Sequence, residues 1–252
     1  MISPQCSGCW MRKGDRHEVL VMKCRLCLQE RNLRKSHVIP EFFYKPLYDG
    51  KHRFHVLTTS TEEKSIYLQK GVRERLLCKD CEMSISQVEN YARHFFFAPP
   101  GPQDVGLQYE QHNDCIVIEN IDYQKFKLFQ LSILWRASIA TSDPFSEVCL
   151  GPHEERIRQM LVDQDPGDQQ LYPCVMVGIL RAVNTPLTEV IMLPTGVRFH
   201  GHKGYRFVFG GCAWLFVVSH HRLILPSDDY VLTKDGKLRM PLMNAHDLVS
   251  MT

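Results

Sequence analysis

Four cysteines carry the most specific chemistry in the chain. Cys24 and Cys27 form one Cys-x-x-Cys pair, and Cys78 and Cys81 form another within LLCKDCE. Two intervening residues let a tight turn direct both sulfurs of a pair at one ion, and four thiolates fill a tetrahedral Zn²⁺ site. Ser36-His37-Val38-Ile39-Pro40 follows the first pair, and Glu82 follows the second directly. An imidazole suits proton transfer near neutral pH, and a carboxylate is a hard oxygen ligand for Mg²⁺ or a similar ion. At the start of a first helical turn Glu82 equally suits the helix dipole. A third pair, Cys6 and Cys9, reads either as further zinc ligands or as part of a tail over residues 1–21.

Cys-x-x-Cys, then SHVIP, then LLC-x-x-CE resembles the zinc-bearing form of the HNH endonuclease family over residues 22–95. The resemblance implies a ββα, treble-clef-like module on a structural Zn²⁺, bearing a metal-dependent nuclease site. His37 then matches the general base that deprotonates water. Glu82 stands where the family usually has His, as ligand of a catalytic divalent cation that offsets charge growing on the scissile phosphate. Other positions depart from the pattern: Ser36 replaces a common Asp, and Val72, Arg73, Glu74 and Arg75 include no Asn. Glu41, Glu89 or a histidine of the 45–76 insertion (His52 or His55, each also an ordinary surface histidine) would complete the cation's shell. DNA is the substrate that the resemblance implies.

The alternative is a treble-clef module that kept its zinc and lost the cutting, and that binds nucleic acid or a protein partner. Arg31, Arg34 and Lys35 precede His37, and Arg73, Arg75 and Lys79 surround the second pair. Such side chains position phosphates without reading sequence, while His37 would hold its turn by hydrogen bonding. Residues 1–100 hold 17 Lys/Arg against 11 Asp/Glu, and the remainder 13 against 17, so a net charge of +2 divides into a basic and an acidic part. A thiol-redox role fits poorly, because no thioredoxin-like βαβ pattern surrounds the pairs.

The elements that must position these groups are legible in outline. A strand at 21–23 enters the first knuckle, and 54–57 with 66–68 read as two strands about a polar turn. From Cys81 to about Phe96 a helix carries the stripe Ile85, Val88, Ala92 and Phe95, with Glu89 and Arg93 as an i, i+4 pair. The breaker cluster at 98–102 divides a zinc module (22–98) from a second domain (103–252) of α+β class, helices followed by an antiparallel sheet. That domain reads as a strand at 115–119, a helix from the N-cap Asp122 to about Ala140, and a helix opening at Gly151-Pro152. Strands follow at 173–180, 189–193, 205–209, 214–219 and 223–225. Cys115, Cys149, Cys174 and Cys212 read as buried small hydrophobes, and His220-His221 at a strand end cannot share one metal.

A chain of 252 residues is long enough for a sizeable core. Its longest apolar run, around 213–218, is far short of a membrane span, and no apolar signal-peptide segment opens it. The expectation is therefore a cytoplasmic protein with ten reduced thiols.

Overall fold

The computed structural model describes residues 21–56, 66–97, 106–182, 185–219, 221 and 223–251. The N-terminal lobe runs β1 (Val21–Lys23), β2 (Glu30–His37), two 3-10 turns (Glu41–Phe43 and Lys45–Leu47), β3 (Phe54–Val56), β4 (Ile66–Leu68), β5 (Arg73–Cys78) and α1 (Lys79–Phe97). Strands pair antiparallel in the order β1-β2-β5, with β3 and β4 as a separate antiparallel pair. The remainder runs β6 (Gln108–Gln111), β7 (Cys115–Glu119), α2 (Tyr123–Ile139), α3 (His153–Asp163), β8 (Cys174–Ala182), β9 (Thr185–Pro186), β10 (Met192–Phe199), β11 (His202–Phe209), β12 (Cys212–Val217) and β13 (Leu238–Asn244). The fold class is thus mixed α and β, as the sequence indicates.

The large sheet has the order β10-β11-β12-β8-β13-β7-β6, with β9 beside β8. It is not wholly antiparallel, because β13 inserts between β7 and β8 and runs parallel to β8. The stretch 223–225 is no strand. Leu223 N–H goes to the Gln170 side chain at 3.1 Å, and Ile224 faces solvent, so no ladder forms there. The strand expected at 189–193 instead begins at Met192.

The core is organised on α2. Asp122 caps it by accepting from Lys125 N at 3.0 Å, and the helix is buried almost all round, as its apolar sequence requires. Phe126 and Phe129 meet Trp214 of β12 on one side, and Phe126 meets Phe95 and Phe96 of α1 on another. Phe43, from the first 3-10 turn, packs on Phe96, Phe129 and Phe209 and is fully buried. That burial is worth about 1.5–3 kcal/mol. Gly210, with φ of +62°, lets the β11–β12 turn approach the Phe43 ring where any Cβ would collide. The boundary expected at 98–102 lies outside the described residues, and the stretches on either side of it share one hydrophobic core. Among the described residues no helix is long and apolar enough to cross a membrane.

Candidate metal centre and the polar site beside it

The first cysteine knuckle is a tight turn after β1. Cys24 N–H donates to Gln29 O and Leu28 N–H to Cys24 O, both at 2.9 Å, with Leu28 in the left-handed region at φ 61°. Arg25 N–H donates to Leu76 O at 3.0 Å, which ties the knuckle to β5. Cys78 closes β5, and Cys81 lies in the first turn of α1. All four sulfurs fall within 4.8 Å of one another, with Cys27 Sγ and Cys78 Sγ 3.9 Å apart. Metal–sulfur bonds of about 2.3 Å in a tetrahedron require sulfurs about 3.8 Å apart, so the four cysteines fit one metal ion. Cys78 N–H also donates to Cys24 Sγ at 3.3 Å. Burial, reinforced by the neighbouring sulfurs, pushes the Cys81 thiol up. A bound cation would reverse that cost by taking the place of the protons.

The polar site is built by a β-bulge. In the β2–β5 ladder Arg34 pairs with Leu77 and Lys35 with Arg75, so Leu76 is skipped. The extra residue lies in β5, and in β2 Leu33 and Ser36, three positions apart, are both buried. Ser36 Oγ donates to the Glu82 carboxylate through a short hydrogen bond. Glu74, opposite Ser36, accepts from Thr141 N and Oγ1 and from Ser142 N at 2.8–3.1 Å, just beyond the end of α2. Burial raises the Glu74 carboxyl, but these donors outweigh it and hold it below the usual range.

Alternation sends the next residue to the other face. There Lys35 lies opposite Arg75 and His37 opposite Arg73. Such a row of like charges destabilises a bare sheet. His37 Nε2 sits 2.7 Å from Glu41 Oε2, an electrostatic contact out of line for a linear hydrogen bond, while Tyr48 OH donates to Glu41 Oε1 at 2.5 Å. Burial lowers the His37 pKa. The Glu41 charge opposes that shift, and the Arg73 and Arg136 charges add to it, leaving the ring neutral at pH 7. The imidazole remains 22% exposed.

Arg136, buried on α2, closes the site from behind. Its Nη1 donates to His37 O at 2.6 Å and lies 2.7 Å from Glu89 Oε1, and its Nε donates to Ser132 O at 3.1 Å. Glu89 therefore faces Arg136 across the helix pair; its expected partner was Arg93. Burial raises the Glu82 carboxyl, with Ser36 and the Arg136 charge opposing and Glu89 adding.

His37 and Glu82, expected at one mouth, address opposite faces of β2. Among the described residues only the four cysteines form a group of three or more His, Cys, Asp or Glu close enough to share an ion, so Glu41, Glu82, Glu89 and His37 do not converge on one. Arg34, Lys79 and Arg75 are exposed; Arg75 also donates to Leu33 O at 3.0 Å, and Arg31, half exposed, faces Asp80 at 3.4 Å. His52 stacks on Tyr48 and His55 on Tyr67, which occupies both insertion histidines. Cys115, Cys174 and Cys212 are buried. Cys149 is exposed, and its carbonyl accepts from Tyr205 OH at 2.8 Å. Cys6, Cys9 and His220 lie outside the described residues. No family model, curated protein or solved structure matches the chain.

Sequence reasoning did not single out Arg136, Tyr48 or Arg158. For Arg136 one signal was present: an arginine in the last turn of a helix with apolar residues on every side. Arg158 of α3 donates Nη1–H to Leu26 O, in the middle of the first knuckle, at 2.5 Å.

Proposed function

We propose that the chain is a zinc-stabilised nuclease of HNH type that hydrolyses phosphodiester bonds, with DNA as its substrate. The observation that carries this reading is the face of β2 and β5 where His37, backed by Glu41, emerges among Lys35, Arg73 and Arg75. Phosphates would relieve the repulsion between those cations and seat the backbone beside the imidazole. Glu41 at Nε2 favours the tautomer that carries its proton there, leaving Nδ1 free to take the proton of an attacking water. The carboxylate would then stabilise the imidazolium that forms. Zn²⁺ on Cys24, Cys27, Cys78 and Cys81 would hold the β2–β5–α1 unit as a treble-clef-like support, with no part in the reaction. A catalytic divalent cation does not fit the residues present, because Glu82 is engaged by Ser36 on the face away from His37.

That same engagement favours a second reading, in which the module binds nucleic acid without cutting it. Incubating zinc-loaded protein with supercoiled plasmid and with labelled oligonucleotides, with and without Mg²⁺ or Mn²⁺, separates the two. The nuclease reading requires relaxed or linear product from the wild type and none from His37→Ala. Retention of DNA in a gel with no product under any condition would leave the binding module standing.

A further inference from the structure

The Glu41 carboxylate stands between two rings and serves them unequally. Its Oε1 accepts a hydrogen bond from Tyr48 OH at 2.5 Å, whereas its Oε2 lies 2.7 Å from His37 Nε2 but off the hydrogen-bond line. Tyr48 is anchored without help from Glu41. Its N–H donates to Lys45 O at 3.3 Å where the second 3-10 turn closes, and its ring stacks on His52 with centroids 4.0 Å apart. His52 N–H is held by Asp49 O at 2.9 Å, in a loop that the Asp49–Arg53 ion pair closes at 2.9 Å. Tyr44, the other tyrosine near Glu41, has its hydroxyl taken up by the Val72 backbone. We infer that Tyr48 is a positioning residue for His37: it draws the Glu41 carboxylate off the imidazole's hydrogen-bond line, so that Glu41 lends the ring its charge while giving its hydrogen bond to the tyrosine.

The chemical consequence concerns the basicity of the ring. A full bond from Glu41 would stabilise imidazolium and keep the ring protonated to higher pH, and a general base must be unprotonated near its working pH. The other charges facing the ring, Arg73 from β5 and Arg136 from α2, both disfavour imidazolium. Tyr48 acts in the same direction by limiting the one neighbour that favours it. Burial, and then the bond to Glu41, push the Tyr48 hydroxyl pKa up, so the donor persists across the neutral range. The terminal torsion of a glutamate is soft, so the carboxylate can turn to meet the ring once it has taken up a proton. This inference rests on the nuclease reading only for the role of His37 as base. Its test reads the ring without DNA, so each can fail alone.

The test is a pH titration of the histidine rings by nuclear magnetic resonance on full-length, zinc-loaded protein, with the His37 signals assigned by their absence from His37→Gln. Tyr48→Phe removes one oxygen and keeps the ring and its stack on His52. It should raise the His37 midpoint by about half a pH unit or more, the size expected when a carboxylate regains a full hydrogen bond to the ring. Glu41→Gln should lower the midpoint, and Tyr48→Phe in that background should change nothing further, because Tyr48 acts only through Glu41. A His37 midpoint that stays in place or falls in Tyr48→Phe would overturn the inference, since Tyr48 would then hold Glu41 against the ring or leave it unaffected. A rise that persists in the Glu41→Gln background would overturn it as well. A ring titration that moves while the acid limb of plasmid cleavage stays in place would support the role of Tyr48 and remove His37 as the base.

Discussion

Arg158 Nη1 donates to the carbonyl of Leu26 at 2.5 Å, across 132 positions of the chain, and so clamps the first cysteine knuckle to α3. The knuckle is therefore not a free-standing ribbon. Outer contacts of this kind orient metal ligands, and removing one typically costs about 10–100-fold in metal affinity. Arg158→Ala is expected to release zinc to a competing chelator roughly tenfold more readily while keeping one zinc per chain. Unchanged affinity would mean that the clamp does nothing for the metal.

Cys78→Ser removes one of four sulfurs and leaves the others crowded without charge compensation. Since ligand binding and folding of such a centre are coupled, the variant should lose zinc and, because the core is shared, lower the melting temperature of the whole chain. Elemental analysis and a single melting curve check both. A folded Cys78→Ser lobe without metal would dismiss the structural role. Two zinc ions per wild-type chain would bring in Cys6 and Cys9.

His37→Ala should reduce plasmid cleavage by about 10²–10⁴-fold, the usual worth of a positioned base, with zinc content unchanged. Glu41→Gln keeps the shape and removes the charge behind the ring, so a smaller loss is expected. Equal rates for wild type and His37→Ala preparations would place the active site elsewhere.

The pH dependence has a definite sign. The folded-state pKa of His37 lies below its ordinary value of 6.5, chiefly through burial. Between the two values the unfolded chain binds more protons, so stability rises with pH across that window. The contribution is complete above 6.5 and is lost as pH falls through the folded value. Cleavage should rise across the same window as the neutral base forms. His37→Gln should flatten the acid limb of melting temperature against pH, and a limb of unchanged slope would assign it to other groups.

Lys35 and Arg75, facing each other on the exposed side of the ladder, should each contact a phosphate. Replacing either with Ala should lower the slope of log affinity against log salt by about one and weaken all DNA sequences alike. A variant that loses affinity with no change in slope would show that its cation meets no phosphate.

The parts of this fold that can be read from sequence are those fixed by short-range rules. Both cysteine knuckles follow from spacing, α1 from its apolar stripe, and the start of α2 from Asp122. What cannot be read is set by partners far along the chain. The run Glu30 to His37 hides its strand because its buried positions, Leu33 and Ser36, fall three apart and break the alternation that marks one. Leu238–Asn244 contains Pro241, which argues against a strand, yet it lies inside the sheet between β7 and β8. His37 and Glu82 look like one pair because each adjoins a cysteine knuckle. One residue of strand alternation separates them, and no spacing rule shows that α2 supplies the charge between Glu89 and the His37 carbonyl.

The bond from Arg136 to His37 also has a meaning in time. Contacts between residues so distant in sequence close late and slowly, and synthesis runs from the N-terminus. A nascent chain that has reached Phe97 already contains every cysteine of the metal centre, His37, Glu41, Glu82 and Glu89. It still lacks the guanidinium that ties the His37 carbonyl to Glu89. The polar site is thus withheld from the growing polypeptide until α2 has left the ribosome and docked, so an interrupted translation product would carry the metal centre's ligands without a finished site.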